Sequence, residues 1–257
     1  MGKIIAFANQ KGGVGKTTSA LNIAAAIGQA GKRALICDMD PQGNASSGVG
    51  VNKKKLPHSI YDVLINRSSP SEAVVHTEFA GLDIMASSVN LAGAEVDLIS
   101  LNDEQSKFRL RDALESISSE YDYIIIDCPP SLGYLTLNAL CAANSIIVPM
   151  QCEFYALEGL SQLTHTIKQI KRLYNPSLEL EGVLITMFDG RLNLTLQVLD
   201  EIKKFFPGKI FESVIPRNVR LSEAPSFGQP VIYFDKASKG SIAYVNAADE
   251  IMRKNAG

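Results

Sequence analysis

A chain of 257 residues that is 46% hydrophobic and 20% charged carries enough apolar material for a sizeable core, and too much for a disordered polymer. The formal net charge of -2 gives no global positive excess, so any nucleic-acid contact must come from a local patch. No apolar run approaches the roughly 20 residues that cross a bilayer, and the polar pair Asn9-Gln10 arrives too soon for a signal peptide.

Strand-like and helix-like segments alternate along the chain. Lys3 to Asn9 is an apolar run that ends at a Gly-rich loop, and Thr17 to Ala30 has helical periodicity up to Gly31. Arg33 to Asp38, Leu82 to Ala86, Tyr123 to Asp127, Ser145 to Pro149, Leu180 to Thr186 and Lys209 to Ile215 are further short runs rich in Ile and Val. Between them, helices are expected over Leu91 to Ser100, Glu104 to Ser118, Leu132 to Ala142, Ala156 to Tyr174 and Leu194 to Phe206, with a last one from Ser241 to Arg253. Continuous apolar strands alternating with helices predict an α/β fold, a mostly parallel, twisted central sheet covered by helices on both faces. No repeat or low-complexity segment appears, so residues 1–257 read as a single domain. The segment nearest to a linker is Val51 to Pro57. Its Lys53-Lys54-Lys55 run reads as a solvated loop, with a phosphate-contacting loop as the alternative. Cys37, Cys128, Cys141 and Cys152 are far apart with no C-x-x-C pair, which predicts buried reduced thiols in a cytoplasmic protein.

The chemistry is concentrated after the first strand, in Asn9-Gln10-Lys11-Gly12-Gly13-Val14-Gly15-Lys16-Thr17-Thr18. A Gly-rich loop between a strand and a helix points successive N–H groups at phosphate oxygens, and the helix N-terminus adds a favourable dipole. Lys16 brings a positive charge to the outer phosphates, and the Thr17 hydroxyl is a candidate Mg²⁺ ligand. The pattern G-x-x-x-x-G-K-[ST] would need Gly at position 10, where Gln10 stands, and Lys11 adds a second lysine to the loop. Sequence physics leaves open whether Lys11 serves a phosphate in a facing subunit or is solvated. Two carboxylate motifs follow strands. In Cys37-Asp38-Met39-Asp40-Pro41-Gln42-Gly43-Asn44, a carboxylate at the sheet's carboxyl edge faces the same crevice as the phosphate loop, and could hold a metal-shell water or orient the attacking water. The Asp-Pro step also suits an Asx turn. In Tyr123-Ile124-Ile125-Ile126-Asp127, an apolar strand ends in Asp, the form of a Walker B carboxylate.

These strings resemble the deviant Walker A ATPases of the ParA/MinD group, over essentially the whole chain from Lys3 to about Ile251. The resemblance implies a P-loop NTPase fold, with ATP and Mg²⁺ as cofactors. It implies that Lys11 reaches the nucleotide of a partner subunit in an ATP-dependent homodimer, with Gly13 where the two loops approach. It makes Asp40 the carboxylate linked to hydrolysis and Asp127 the one linked to Mg²⁺. Asp38 is placed one layer further from the metal. Gln151 to Leu160 and Pro216 to Ser226 match further characteristic segments, by which Met187, Pro216 and Asn218 lie near the adenine. Met187 is equally suited to core packing. From Lys203 to Lys239, seven basic residues face three acidic ones, a net +4 window. A solvated surface is the plain reading of such a window, whereas the resemblance puts Arg191, Arg217 and Arg220 on a surface that binds double-stranded DNA without sequence preference. The function implied is that of a short ParA/Soj-type DNA-segregation ATPase, associated with the nucleoid in the cytoplasm. A ParB-type partner would stimulate its hydrolysis. An N-terminal helix-turn-helix extension is not expected, and neither is membrane binding. One alternative is a MinD-like switch at a membrane surface, which would need a basic amphipathic C-terminal helix. The other is a redox partner like the nitrogenase iron protein, which would need a second suitably placed cysteine.

Overall fold

The computed structural model describes residues 2–101, 103–153 and 156–256, except the side chains of residues 156–161; Phe154 and Tyr155, quoted above within the Gln151 to Leu160 match, lie outside the described residues. The first half of the chain lays down β1 (Lys3–Phe7), α1 (Lys16–Gln29), β2 (Ala34–Asp38) and α2 (Asn44–Gly48). The short elements α3 (Ile60–Leu64), α4 (Pro70–Ala73), β3 (Val74–His76) and β4 (Leu82–Met85) follow, then α5 (Ala94–Ser100) and α6 (Arg109–Ile117). The second half continues with β5 (Tyr123–Asp127), α7 (Tyr134–Ala142), β6 (Ser145–Gln151), α8 (Ala156–Leu173), β7 (Glu179–Thr186) and α9 (Asn193–Phe205). It closes with α10 (Arg220–Glu223), α11 (Val231–Phe234) and α12 (Lys239–Asn255).

Seven strands form one sheet in the order β3-β4-β2-β5-β1-β6-β7. All neighbours are parallel except β3, which runs antiparallel to β4 at the edge. Strands β2 and β5 are buried at every position, as continuous apolar runs in a two-sided parallel sheet should be. The register decides where the chemistry lies. Phe7 is opposite Asp127, and Asp38 is opposite Asp127 on the other side. Partners in register on parallel strands point to the same face, about 4.8 Å apart. The two carboxylates therefore end their strands side by side, beside the loop that leaves β1.

One apolar layer packs α1 and α12 against the sheet through Ile23, Ile27, Tyr244, Ala247 and Ile251; the other side buries Leu110, Leu114, Leu135 and Leu140. The expected strand from Lys209 to Ile215 does not form as a strand. It pairs at its two ends, where Phe211 N donates to Val183 O and Ile215 N to Ile185 O. Between them Glu212 N and Ser213 N donate instead to the Glu250 carboxylate of α12, each at 3.0 Å. A side chain thus replaces the ladder for two residues. The helix expected over Glu104 to Ser118 is also interrupted, with a 3₁₀ turn at Glu104–Lys107 before α6. Similarly, Val89–Gly93 is a 3₁₀ turn ahead of α5. At the margin of the core, two backbones touch directly. Gly50 (φ 76°) and Gly228 (φ 66°) approach so closely that a Cβ on Gly228 would lie 2.8 Å from Gly50 Cα.

Candidate nucleotide-binding site

The phosphate loop occupies the gap between β1 and α1 as its sequence predicts. Gly13 and Gly15 have φ of 73° and 83°, left-handed values that other residues rarely adopt, and Gly15 is the N-cap of α1. A Cβ at Gly12 or Gly13 would meet nothing within 4 Å, so the loop faces open space. Its back is held by side chains from neighbouring strands. Thr186 Oγ1 at the end of β7 donates to Val14 O at 2.8 Å, and Gln151 Nε2 at the end of β6 donates to Gly13 O at 2.9 Å. Asn9 Nδ2 donates to Pro149 O at 2.8 Å, while its Oδ1 accepts from Lys11 N.

Lys16 is only 6% exposed, and its Nζ donates to Lys11 O at 3.1 Å. Burial lowers its pKa, and the charges of Asp127, Cys128 and Asp40 counter part of that. Lys11, the extra lysine, turns away from the loop and pairs with Glu153 at 2.6 Å on the exposed side.

Three carboxylates line the crevice. Asp127 is fully buried, and its oxygens meet no well-aligned donor, with only the Thr17 hydroxyl close by. Burial and the adjacent Asp38 charge push its carboxyl well above the usual range; the neighbouring Thr17 hydroxyl pulls it down, Asp40 adds to the rise, and Lys16 opposes it. Asp38 is also fully buried but is satisfied. Its Oδ2 accepts from Ser46 N at 2.8 Å and Ser46 Oγ at 2.7 Å, and its Oδ1 accepts from Asp40 N at 3.3 Å. Burial raises Asp38 to about 6, against the Ser46 and Asp40 hydrogen bonds. Asp40 is 7% exposed; its Oδ1 accepts from Gln42 N at 2.9 Å, the Asx turn that the Asp-Pro step suits. Ser87 Oγ donates to Asp40 O at 2.7 Å, and Ser46 Oγ accepts from Ser87 N at 2.9 Å. The loop carrying Asp40 is therefore tied to the ends of β2 and β4.

Buried carboxylate oxygens without donors are costly unless a cation meets them. A hard cation with oxygen ligands fits the Asp127 and Thr17 positions, and the open glycine cradle in front of a helix N-terminus fits phosphate. Beside it lies a cavity of about 350 Å³ lined by Gly15, Thr18, Met187, Pro216, Asn218 and Tyr244, among others. Met187, Pro216 and Asn218 are thus brought together next to the loop. Met187 is only half-buried and has a positive φ of 50°. Arg217, which the resemblance groups with Arg191 and Arg220, lines this same cavity and stands beside Asp189. Arg191 and Arg220 are separate from it. Arg191 pairs with Asp189 at 2.6 Å, and Arg220 pairs with Glu223 at 2.8 Å and Asp235 at 3.2 Å. In the same basic window Lys203 and Lys204 pair with Asp200 and Glu201. The four cysteines are buried and unpaired.

Sequence reasoning missed Ser46, Ser87, Gln151, Thr186 and Glu153. Four of the five lie at or just beyond the carboxyl ends of parallel strands, where crevice residues of open α/β sheets gather, so position along the sheet was the available signal.

A family model described as "AAA domain" matches residues 2–180. Over 255 residues the chain is 52% identical to the chromosome partitioning protein ParA of Myxococcus xanthus (strain DK1622), covering 99% of this chain and 89% of that protein. It is 50% identical to the sporulation initiation inhibitor protein Soj of Bacillus subtilis (strain 168), covering 98% of each. Among solved structures, cobyrinic acid a,c-diamide synthase from Mycobacterium smegmatis with bound ATP analog and magnesium matches with a TM-score of 0.86 at 38% identity, covering 98% of this chain and 95% of that one.

Proposed function

The chain belongs to the ParA/Soj family of partitioning ATPases, and from that premise we propose that it segregates DNA, by forming an ATP-bound homodimer that binds DNA and releases it after hydrolysis. It is an ATPase with ATP and Mg²⁺ as its cofactors. The observation that carries the reading is the buried Asp127 carboxylate, which has no well-aligned hydrogen-bond donor, beside Thr17, Lys16 and the open glycine loop.

In this reading the N–H groups from Gly12 to Thr18 cradle the phosphates, and Lys16 Nζ leaves the Lys11 carbonyl to neutralise them. Thr17 and Asp127 hold the metal, with Asp38 fixed behind by Ser46. Bound Mg²⁺ supplies charge neutralisation on the transferring phosphoryl group. Asp40 orients the attacking water and takes its proton, held in place by its own turn and by Ser87. Met187, Pro216 and Asn218 form the adenine pocket. Lys11 exchanges Glu153 for a phosphate of the facing subunit when the dimer forms, and Gly13 marks the close approach of the loops.

The same reading places Arg191, Arg217 and Arg220 against the phosphates of double-stranded DNA, without sequence preference. A ParB-type protein stimulates turnover, and the single domain of residues 1–257 works on the nucleoid in the cytoplasm. The membrane-surface alternative is disfavoured by α12. Its apolar residues Tyr244, Ala247, Ala248 and Ile251 are buried in the core, and Ile242 is its one large apolar side chain that is exposed, too little for a lipid-facing stripe. Among the described residues no helix is long and apolar enough to cross a membrane. Gel-shift binding to unrelated duplexes with ADP, ATP and a slowly hydrolysed analogue tests the proposal. Binding should require ATP or the analogue; equal binding in all three states overturns the switch.

A further inference from the structure

The lysine run Lys53-Lys54-Lys55 is not used by the site described above, and its three members are not equivalent. They form a 3₁₀ turn capped by Asn52, whose Oδ1 accepts from Lys54 N at 3.1 Å. The flanking Val51 and Leu56 pack against the core, which fixes the turn in place. Lys54 and Lys55 are exposed, while Lys53 is half-buried. Its Nζ reaches back to donate to Gln42 O at 2.7 Å and Gly43 O at 3.0 Å.

Those two carbonyls belong to the turn that begins at Asp40. Gly43 N donates to Asp40 O at 2.8 Å and closes the turn. Gln42 N donates to the Asp40 carboxylate itself. Gly43 O also starts α2, accepting from Ser47 N and Ser47 Oγ at 3.1 Å each. One ammonium group thus holds the carbonyl of Gln42, the residue whose own N–H donates to the Asp40 carboxylate, and the first carbonyl of α2. The fit is close, since a Cβ on Gly43 would lie 2.7 Å from Lys53 Cδ. The left-handed φ of 63° at Gly43 is held from the inside by the turn and from the outside by Lys53.

We propose that Lys53 is a positioning residue for ATP hydrolysis, holding the Asp40-to-Gly43 turn so that the Asp40 carboxylate faces the attacking water. The proposal rests on the assignment of Asp40 given above. Lys53 acts through the Gln42 and Gly43 carbonyls, to which its ammonium group donates. A turn held on one side only lets the carboxylate wander, and small misplacements of a catalytic group are expensive in rate.

The test compares Lys53→Ala, Lys53→Arg, Lys54→Ala and Asp40→Ala in the full chain, with ATP, Mg²⁺ and saturating DNA. Lys53→Ala should lower kcat about tenfold and leave KM for ATP within about twofold. ATP-dependent dimerisation by light scattering should be retained. Lys53→Arg, which can still donate to both carbonyls, should recover most of the rate, and Lys54→Ala should match the wild type. Amide exchange at Gln42, Gly43 and Ser47 should accelerate in Lys53→Ala. An unchanged kcat in Lys53→Ala overturns the proposal. So does an equal loss in Lys54→Ala, which would make the effect one of general positive charge, and so does a loss of ATP binding. If Asp40→Ala turns over at the wild-type rate, the underlying assignment has failed; if Asp40→Ala is inactive and Lys53→Ala is normal, only the role of Lys53 has failed.

Discussion

At the carboxyl edge of β2 and β5 the charges are buried and their positions are set by the backbone. Asp38 and Asp127 are opposed by strand register, and Asp40 is fixed by its own turn and by Ser87. Around Arg191 and Arg220 the charges are exposed, and each guanidinium is already matched to a carboxylate two, three or fifteen residues away in sequence. The two regions therefore respond differently to a ligand. In the crevice, a cation meets a buried carboxylate with no well-aligned donor, so it displaces no ion pair and competes only with the proton that burial favours there. If the arginine face binds DNA as proposed, a phosphate has to displace Asp189, Glu223 or Asp235, an exchange of one exposed ion pair for another. Exposed pairs are worth roughly 0–1 kcal/mol each and are screened by salt. Many weak contacts, not one strong one, must carry such a surface.

The largest effect that tests this contrast is on turnover. Asp40→Ala should reduce hydrolysis by about 10²–10⁴-fold, the range for losing a general base. ATP binding and a doubled mass in light scattering should survive. Hydrolysis at the wild-type rate would remove Asp40 from the chemistry. Next, Lys16→Ala should weaken ATP on the order of a hundredfold, since a buried charged donor to phosphate is worth about 3 kcal/mol. Filter binding that stays micromolar would contradict the assignment.

Glu250 provides a buried charge outside the crevice. Burial alone would raise its pKa, but Lys254 and the Ser213 and Glu212 amides outweigh that and hold it below the usual range. Glu250→Gln should destabilise the fold by about 1–3 kcal/mol in urea unfolding at pH 7. A lowered carboxylate stabilises above its unfolded pKa of about 4.3, and that stabilisation is lost as pH falls through the folded value. The gap between wild type and variant should therefore be complete at neutral pH and close in the acid range. A gap that persists unchanged at low pH would mean the charge is not its source.

The smallest effects belong to the arginine face. Arg220→Ala should flatten the slope of log affinity against log salt by about 0.9 per lost phosphate contact, hence by roughly two contacts' worth if both subunits engage. Unrelated duplexes should be affected equally, with dimerisation intact. Asp235→Asn should act in the opposite direction and raise DNA affinity by no more than about fivefold per engaged subunit, because it frees Arg220 from a pair worth at most about 1 kcal/mol. Weaker binding in Asp235→Asn would mean the ion pair is needed to aim Arg220.

The sheet was mostly legible before any coordinates, because a strand buried on both faces leaves a continuous apolar run. Tyr123 to Asp127 was read to the residue, and the other core strands to within two residues at each end. The edge strand β3 escaped notice, since three residues, the half-buried Val74 and Val75 and the exposed His76, leave no pattern. Lys209 to Ile215 was over-read for the opposite reason. It is apolar enough for a strand, but its middle amides are claimed by Glu250, a partner about 40 residues away that no local signal reveals. The loop glycines and the strand-ending aspartates were visible because their roles follow from residue type and position. Ser46, Ser87 and Lys53 were not, since a serine or lysine in a loop is common and only the fold brings these to Asp38 and the Asp40 turn. The Lys53 run shows the limit well, because three identical residues in sequence have one member with a specific partner and two without.

The contact between Gly50 and Gly228 is of a different mechanical kind from those around it. Most packed surfaces have play, because a displaced side chain can change rotamer and absorb the shift. Here main chain rests on main chain, with Gly228 N also bonded to Pro225 O at 3.1 Å and Gly50 N to Ser47 O at 3.0 Å. There is no rotamer to change, so a side chain at Gly228 could be admitted only by moving one backbone away from the other. The segment from 216 to 228, which holds both the cavity residues Pro216 and Asn218 and the exposed Arg220, is thus seated against the end of α2 through two residues that have no side chains.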